Sequence, residues 1–305
     1  MTDRYACSDA SEARGEAPVG TASQVRGWLL VEVHGAWGRD AVHDSHLGVH
    51  VPEGWKAGLQ RRGIRPICIR PPHRPEEPEA VRVFFVVADR PGAQPGVVWT
   101  RILPTLAATR LVTDDLRLDT EPHGWERHPG RLVLVCTNGK HDPCCANRGR
   151  PVCRHLRDTR WADEVWECSH IGGDRFAANL LILPDSLYFG RMEPTEAEVI
   201  LDEHAEGRIA LDWYRGRSTL RFVEQAAEHA VRAGLGVTGT DDVVIEPGQD
   251  AQRIRAEVAG IGPVDVALTR TLETVAEPLT CHGPGDQPVP RYRATELLEV
   301  SPDPT

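Results

Sequence analysis

The distribution of cysteine is the feature that most limits how this chain can fold. Five of its eight cysteines lie between Cys136 and Cys168, in a chain of 305 residues. Thiols crowded in this way are typical of a metal or redox site, because thiolates bind soft metal ions. A fold that uses them must bring the ends of separate strands and loops to one point. We therefore expect a cysteine/histidine site built between Cys136 and Asp174.

The net charge and the hydropathy pattern argue against several classes of protein. The formal net charge is −10 at pH 7, and binding to nucleic acid needs clustered Lys and Arg for its phosphate contacts. An acidic surface instead suits docking to a basic protein partner. The sequence has no apolar run long enough to span a membrane and no signal peptide, so we expect a cytoplasmic protein without membrane contact. Its cysteines should then be mostly reduced.

The order of apolar runs predicts an α/β protein in four parts. Residues 1–25 lack a clear period and are expected to form a flexible arm. Residues 26–125 contain the strand-like runs WLLVEV, PICIR and VRVFFVVAD, and the last two are expected to be neighbours in one sheet. Residues 126–207 carry the cysteine-rich segments. Residues 208–305 predict a small α+β region, with an amphipathic helix followed by short strands.

Residues 126–207 repeat the order of elements in residues 26–125. The runs RLVLV and EVWEC are in the positions of WLLVEV and PICI, which would make Cys168 correspond to Cys68. This order suggests an internal duplication in which only the second copy has the cysteine-rich loop. A helix is expected from about Pro151 onwards. LLILPDSLYFGRM then predicts a hairpin, and PTEAEVILDEHAEG predicts an acidic helix that ends at a glycine.

Two separated segments supply the candidate ligands. Both follow predicted strands, and loops at strand ends can aim several side chains at one point. Thiolates and imidazoles bind zinc and the iron of iron–sulfur centres, whereas a carboxylate is a poorer ligand for iron in a sulfide cluster. Exchanging cysteine for histidine raises the reduction potential of a two-iron cluster. The candidates are Cys136, Cys144 and Cys145 in the first segment and Cys168, His170 and Asp174 in the second.

Several candidates also have an ordinary structural explanation. Cys144 and Cys145 could be small buried side chains, since free cysteine is often buried and inert. Asp174 could be the N-cap of a helix over the sequence FAANLL. His141 and Asp142 could handle a proton or could form a solvated loop tip. These alternatives stay open on the residues alone.

The two segments resemble those of a known family. CTNGKHDPCCANRGRPV and WECSHIGGDRFAANLLILPDSLYFGR are similar to the sucrase/ferredoxin-like family, a branch of thioredoxin-fold ferredoxins. The sequences GTA, near the N-terminus, and GWLLVEVHGAWG are similar to its N-terminal part. The resemblance implies that residues 126–207 form a thioredoxin-like ferredoxin domain with a [2Fe–2S] cluster. It is specific in this part and only suggestive in the last hundred residues.

The resemblance also implies which residues hold the cluster. Cys136 and Cys145 match the family's paired cysteines, and His170 matches the first histidine of its H-x-x-x-H arrangement. Asp174 stands where the second histidine is expected, so the fourth ligand is open. The alternatives for it are Asp174, Cys168 and Cys144. The softness of sulfur favours Cys168.

These residues predict a one-electron carrier rather than a catalyst, with a reductase or an electron acceptor as its protein partner. One alternative is a thiol-redox enzyme that uses the vicinal Cys144 and Cys145. Another is a structural zinc-binding module. Both alternatives lack the C-x-x-C spacing that is typical of their class. Glycoside hydrolysis gets no support, because it needs two placed carboxylates and no such pair can be identified.

Overall fold

The computed structural model describes residues 5–71, 80–246 and 252–299. No helix among these residues is both long and apolar enough to cross a bilayer. The α-helices are α1 Cys7–Ala13, α2 Ala41–Asp44, α3 Trp55–Arg61, α4 Pro143–Leu156, α5 Pro194–Ala205 and α6 Phe222–Leu235. The strands are β1 Gly27–Glu32, β2 Ile64–Arg70, β3 Val81–Val87, β4 Val97–Leu103, β5 Glu126–Arg127, β6 Leu132–Cys136, β7 Val165–Cys168, β8 Asn179–Leu183, β9 Leu187–Gly190, β10 Tyr214–Arg217, β11 Val243–Ile245, β12 Arg253–Val258, β13 Gly262–Val275 and β14 Gln287–Glu299.

One ten-stranded mixed sheet contains β1–β10. We call β1–β4 its first half and β6–β9 its second half. Its order is β10-β9-β8-β6-β7-β2-β1-β3-β4-β5. β1 pairs parallel with β2 and antiparallel with β3, and β6 pairs parallel with β7 and antiparallel with β8. The antiparallel pairs β3–β4 and β8–β9 then extend each half. The two halves have the same strand order, which is the order that an internal duplication requires.

The two halves meet at a short antiparallel strand pair. β2 pairs with β7 through Ile69 with Cys168 and through Arg70 with Glu167. The Arg70 guanidinium also donates to the Glu167 carboxylate at 2.7 Å. In the second half, Cys136 pairs with Cys168 at the carboxyl ends of β6 and β7. The cysteine-rich segments therefore start at the joint between the halves.

The central strands are buried on both faces. Every residue of β1 is buried. Trp28 and Leu30 belong to one apolar layer, while Leu29 and Val31 belong to the opposite one, because successive side chains of a strand point to opposite faces. A strand that is covered on both sides needs a continuous apolar run rather than an alternating one. WLLVEV has this pattern.

The C-terminal part forms a second sheet. Its order is β11-β12-β13-β14, and all its pairs are antiparallel. The apolar face of α6, which includes Ala227 and Val231, packs with Ile254 and Val266 of this sheet. The predicted amphipathic helix and the strands after it are therefore present. The domain boundaries near residues 25, 125 and 207 stay predictions.

The prediction that PICIR and VRVFFVVAD are neighbouring strands was wrong. They form β2 and β3, and β1 lies between them. Parallel strands need a long crossover, and the segment with α2 and α3 supplies it and places β2 on one side of β1. β3 then pairs antiparallel on the free side. The proline-rich residues 72–79 lie outside the described residues.

The helix expected from Pro151 begins eight residues earlier. Asp142 is its N-cap, with its carboxylate accepting the N–H of Cys144 at 2.9 Å, and Pro143 takes the first helical position. The first cysteine segment is therefore partly helical, and Cys144 and Cys145 lie in the first turn of α4.

A helix over FAANLL was also a wrong alternative. A single 3₁₀ turn, Asp174–Phe176, is followed by an extended segment and by β8. The apolar run NLLIL of β8 is buried throughout, which suits a strand covered on both sides. Asp174 lies within the turn and does not cap a helix.

The N-terminal segment is packed where a flexible arm was expected. Among its described residues, Cys7 and Ser11 have no exposed surface. The amide of Gly20 donates to the Arg215 carbonyl, and the Ser23 hydroxyl donates to the Ile171 carbonyl. These partners belong to the second half of the chain, so this segment is part of the folded unit.

Candidate metal centre

Three donor atoms from three chain segments converge at the end of β6. The sulfur atoms of Cys136 and Cys145 and a ring nitrogen of His170 lie within 4.8 Å of one another. Cys136 is the last residue of β6, Cys145 lies in the first turn of α4, and His170 is two residues beyond β7. The start of a helix and the ends of two adjacent parallel strands therefore supply the group.

Gly149 allows α4 to approach the end of β6 closely. A Cβ atom at this position would lie 2.1 Å from the carbonyl oxygen of Cys136, far inside van der Waals contact. The backbone of β6 and the backbone of α4 therefore touch at the residue that provides the first thiol. Only glycine permits this separation.

Substituting alanine for Gly149 should accordingly destabilise the protein, by about 1–3 kcal/mol, because backbone atoms must move to accept the methyl group. Urea denaturation measures the change. The control is Gly58→Ala on α3, where the added Cβ meets nothing closer than 3.8 Å. There the restricted unfolded chain should give a stabilisation of up to about 1 kcal/mol. Equal stability of the two variants would contradict the close approach.

His141 and Asp174 complete a second donor group around His170. Ligand atoms of these three residues also lie within 4.8 Å of one another. The rings of His141 and His170 stack, with centroids 3.8 Å apart and planes inclined by 17°. Oδ1 of Asp174 lies 2.9 Å from Nδ1 of His170 and 3.2 Å from Sγ of Cys145. The Asp174 carboxylate thus contacts both an imidazole and a thiol of the site.

The outer contacts of the two imidazoles orient their ring nitrogens. Nδ1 of His141 lies 3.2 Å from the backbone carbonyl oxygen of Arg39. A carbonyl oxygen only accepts, so this Nδ1 carries a proton, and Nε2, which lies 3.8 Å from Oδ2 of Asp174, is the nitrogen on the side of the site. Asp174 lies within ion-pair distance of Nδ1 of His170. Histidines that bind metals commonly have their other ring nitrogen held by a carbonyl or a carboxylate.

His141 is the residue whose place in the site the sequence did not indicate. It was interpreted as part of a proton-handling pair with Asp142 or as part of a solvated loop tip. The available signal for His141 was its position four residues before Cys145. The first turn of α4 places this part of the first cysteine-rich segment against the second segment, which contains His170. The Asp142 carboxylate is instead buried and caps α4.

The groups of the site shift one another's pKa. The hydrogen bond from the Cys145 thiol, together with His170, holds the pKa of Cys136 well below its usual value against the opposing effect of burial. Burial lowers the pKa of His170, but Asp174 and Cys136 outweigh it and raise that pKa to about 9. Burial also raises the pKa of Asp174, and its contact with His170 reverses this to a net lowering. Cys136 is therefore favoured as the thiolate, the form that binds metals.

The sulfur side of the site is buried and the imidazole side is open. Cys136 and Cys145 are each 1% exposed. The side chains of His170 and His141 are 22% and 30% exposed. Both imidazoles line a cavity of about 820 Å³. Solvent and a partner can therefore approach from the imidazole side.

The other two predicted thiol ligands lie outside this convergence. Cys168 has no exposed surface and lies in the apolar layer around Trp28, which also contains Cys136 and Cys145. Among the described residues, no group of three possible ligands includes it. Cys144 precedes Cys145 on a helix, so their side chains point about 100° apart. The sulfur of Cys144 lies 3.4 Å from that of Cys281 instead.

Comparison with known proteins places the chain in a family. The model of the sucrase/ferredoxin-like family matches residues 18–216. The chain is also similar to the altered inheritance of mitochondria protein 32 of several Saccharomyces cerevisiae strains, at 29% identity over 96 residues, which is 27% of this chain and 31% of that protein. The match thus spans less than a third of these relatives. No solved structure matches the chain. Because the family model covers most of its length, including both cysteine-rich segments, this chain belongs to the sucrase/ferredoxin-like family.

Proposed function

We propose that this protein carries single electrons on a [2Fe–2S] cluster with mixed cysteine and histidine ligation. The observation that carries the proposal is the convergence of the Cys136 and Cys145 thiols with the His170 imidazole. The donors fit such a cluster, since thiolates and imidazoles both bind the iron of two-iron centres. Bound there, the cluster would supply a centre that takes up and releases one electron.

His141 is the fourth ligand in this proposal. Its Nδ1 is held by the Arg39 carbonyl, its Nε2 is on the side of the site, its ring lies against that of His170, and imidazole is a better ligand for cluster iron than the carboxylate of Asp174. Cys168 has the softer donor but belongs to no donor group among the described residues. Cys136 and Cys145 would hold one iron, and the two histidines would hold the other.

Asp174 has a supporting role in this arrangement. It contacts Nδ1 of His170, which fixes the ring orientation and leaves Nε2 as the ligand atom. Its buried negative charge also favours a proton on His170 at Nδ1. Such a proton would link the reduction potential to pH, because reduction adds negative charge that a protonated ring offsets.

The strand order of the second half supports a thioredoxin-like domain in residues 126–207. In the order β9-β8-β6-β7, the crossover helix α4 connects the parallel pair β6–β7. β8 pairs antiparallel with the other side of β6, and β9 pairs antiparallel with β8. This order agrees with the thioredoxin-like fold that the family resemblance implies. The cluster would lie at the carboxyl end of the parallel pair.

A redox protein, either a reductase or an electron acceptor, is the partner that we propose. It would dock over the exposed edges of His141 and His170, because the sulfur side of the site is buried. We propose that this exchange takes place in the cytoplasm and involves neither nucleic acid nor a membrane.

A thiol-redox enzyme is less well supported. That function needs Cys144 and Cys145 to act on one another, and their sulfurs contact different partners, Cys281 and Asp174. Mapping of thiols by mass spectrometry after treatment with peroxide tests this alternative. A selective disulfide between Cys144 and Cys145 would support the enzyme and contradict the carrier.

The spectrum of the purified protein tests the carrier directly. Protein prepared without oxygen should be coloured, should contain about two iron and two sulfide ions per chain, and should give an electron paramagnetic resonance signal when it is reduced. Pulsed resonance should detect nitrogen bound to the cluster. A colourless and iron-free protein that cannot be reconstituted with iron and sulfide would exclude the proposal.

A further inference from the structure

A second group of possible metal ligands lies at the first turn of α4. It consists of Cys7, Asp142, Cys144 and Cys281, whose ligand atoms all lie within 4.8 Å of one another. The three thiols come from distant parts of the chain: Cys7 begins α1, Cys144 lies on α4, and Cys281 lies between β13 and β14. The family match covers residues 18–216 and therefore includes neither Cys7 nor Cys281.

From this group we infer a structural zinc site with Cys7, Cys144 and Cys281 as thiolate ligands and the Asp142 carboxylate as the fourth. The spacing fits zinc. Tetrahedral zinc with Zn–S of about 2.3 Å and Zn–O of about 2.0 Å places its sulfur atoms about 3.8 Å apart and sulfur about 3.5 Å from oxygen. The sulfurs of Cys144 and Cys281 are 3.4 Å apart, and Sγ of Cys7 lies 3.7 and 3.8 Å from the two carboxylate oxygens.

The ligands are held in place by hydrogen bonds that zinc does not need to break. The two oxygens of Asp142 accept the backbone N–H groups of Cys144, at 2.9 Å, and of Cys281, at 2.7 Å. The N–H of Cys7 donates to the sulfur of Cys281 at 3.4 Å. Each carboxylate oxygen keeps a lone pair for the ion. Second contacts of this kind orient the ligands of structural metal sites.

Burial also fits a closed structural site with one route of entry. Cys7, Asp142 and Cys144 are 0%, 1% and 3% exposed, whereas Cys281 is partly exposed. On binding, three thiols release their protons to solvent, so the occupied site has a net charge of about −2. The amides that point at these ligands and the N-terminal end of the 14-residue helix α4 offset this charge.

The presence of four possible ligands favours a zinc site over a disulfide or an iron–sulfur cluster at this position. A disulfide would use two sulfurs and would leave the third thiol unused. An iron–sulfur cluster is a poorer match, because a carboxylate is a hard ligand for iron in sulfide clusters. Zinc accepts sulfur and oxygen ligands together.

The zinc would link α1, through Cys7, and the β13–β14 connection, through Cys281, to α4, the helix that carries Cys145. Cys144 and Cys145 are adjacent, so fixing the first fixes the backbone of the second. The vicinal cysteines thereby serve two different sites. The zinc site can exist whether or not the other site holds a cluster, so each is testable separately.

Metal analysis of the full chain, expressed with zinc and purified under reducing conditions, tests the inference. Wild-type protein and Cys136→Ser protein should each contain about one zinc per chain, and Cys281→Ser protein should contain less than about a tenth of that amount. Iron should show the reverse pattern, being lost in Cys136→Ser and kept in Cys281→Ser. Cys68→Ala, in a buried thiol outside both groups, should keep both metals.

A second measurement does not depend on the folding of a variant. In wild-type protein, zinc should protect Cys7, Cys144 and Cys281 from alkylation until a strong chelator is added, and cobalt in place of zinc should give the visible bands of tetrahedral thiolate coordination. Three outcomes would overturn the inference: wild-type protein without zinc, zinc that is lost in Cys136→Ser but kept in Cys281→Ser, or a Cys144–Cys281 disulfide in protein kept from oxidants.

Discussion

His141→Ala protein should lose most of its [2Fe–2S] cluster, with iron retention weakened at least about tenfold, since removing even an outer contact of a metal ligand has an effect of this size. Cys168→Ala protein should retain its cluster. The contrast follows from geometry: the His141 ring stacks on His170, whereas Cys168 belongs to no donor group among the described residues. Iron and sulfide content and the visible spectrum of the two proteins, purified side by side without oxygen, give the comparison.

Pulsed electron paramagnetic resonance separates a lost ligand from a damaged fold. The reduced wild-type cluster should show couplings to two histidine nitrogens, and any cluster that remains in His141→Ala should show one. His50→Ala, at an exposed histidine outside all the donor groups of the described residues, is the matched control and should show two. A colourless Cys168→Ala protein together with an unchanged His141→Ala spectrum would assign the fourth position to sulfur.

Glu16→Gln should have the largest effect on stability, a loss of about 3 kcal/mol, because it removes one partner of a buried ionic network. The Glu16 side chain is fully buried and contacts the guanidinium groups of Arg14, Arg175 and Arg291 at 2.5, 2.9 and 2.8 Å. The Ser11 hydroxyl donates to it as well. Glutamine keeps the shape but removes the negative charge that Arg14 and Arg175 contact, while Arg291 keeps its second partner, Glu273. Urea denaturation at pH 7 measures the loss.

The same carboxylate predicts a dependence on pH with a definite sign. Burial raises the pKa of Glu16, but Arg175 and the hydrogen bonds from Ser11, Arg291 and Arg175 outweigh it and lower the pKa from 4.5 to about 2. A carboxyl whose pKa is lower in the folded state stabilises the fold fully above about pH 4.5, and this contribution disappears as the pH falls through about 2. The difference between wild type and Glu16→Gln should therefore be about 1 kcal/mol smaller at pH 4 than at pH 7.

A matched control distinguishes this network from general charge effects. Glu206→Gln removes a carboxylate that pairs with Arg208 on the surface, where Glu206 is 64% exposed. Solvent screens such pairs, so this variant should have nearly the stability of wild type at both pH values. A Glu16→Gln protein as stable as Glu206→Gln would contradict the proposed role of the network.

Local patterns in the sequence were sufficient for many of the elements. The run WLLVEV predicted a strand, and the structure buries it on both faces. The Pro-Asp-Ser turn between two apolar runs predicted the hairpin β8–β9, and Pro194–Ala205 forms the acidic helix that was expected before Gly207. Such patterns work because side-chain periodicity and turn residues report burial and chain reversal within a few residues.

The sequence also determined which kinds of donor the site contains, since thiols and imidazoles crowd into two segments that follow strands. Only the tertiary structure decided which of them meet. Cys144 and Cys145 are adjacent in sequence yet contact different groups, whereas Cys7 and Cys281, 274 positions apart, are in contact. The physical reason is that local periodicity specifies which face of an element is buried, while the meeting of distant segments depends on how the whole sheet and its helices pack.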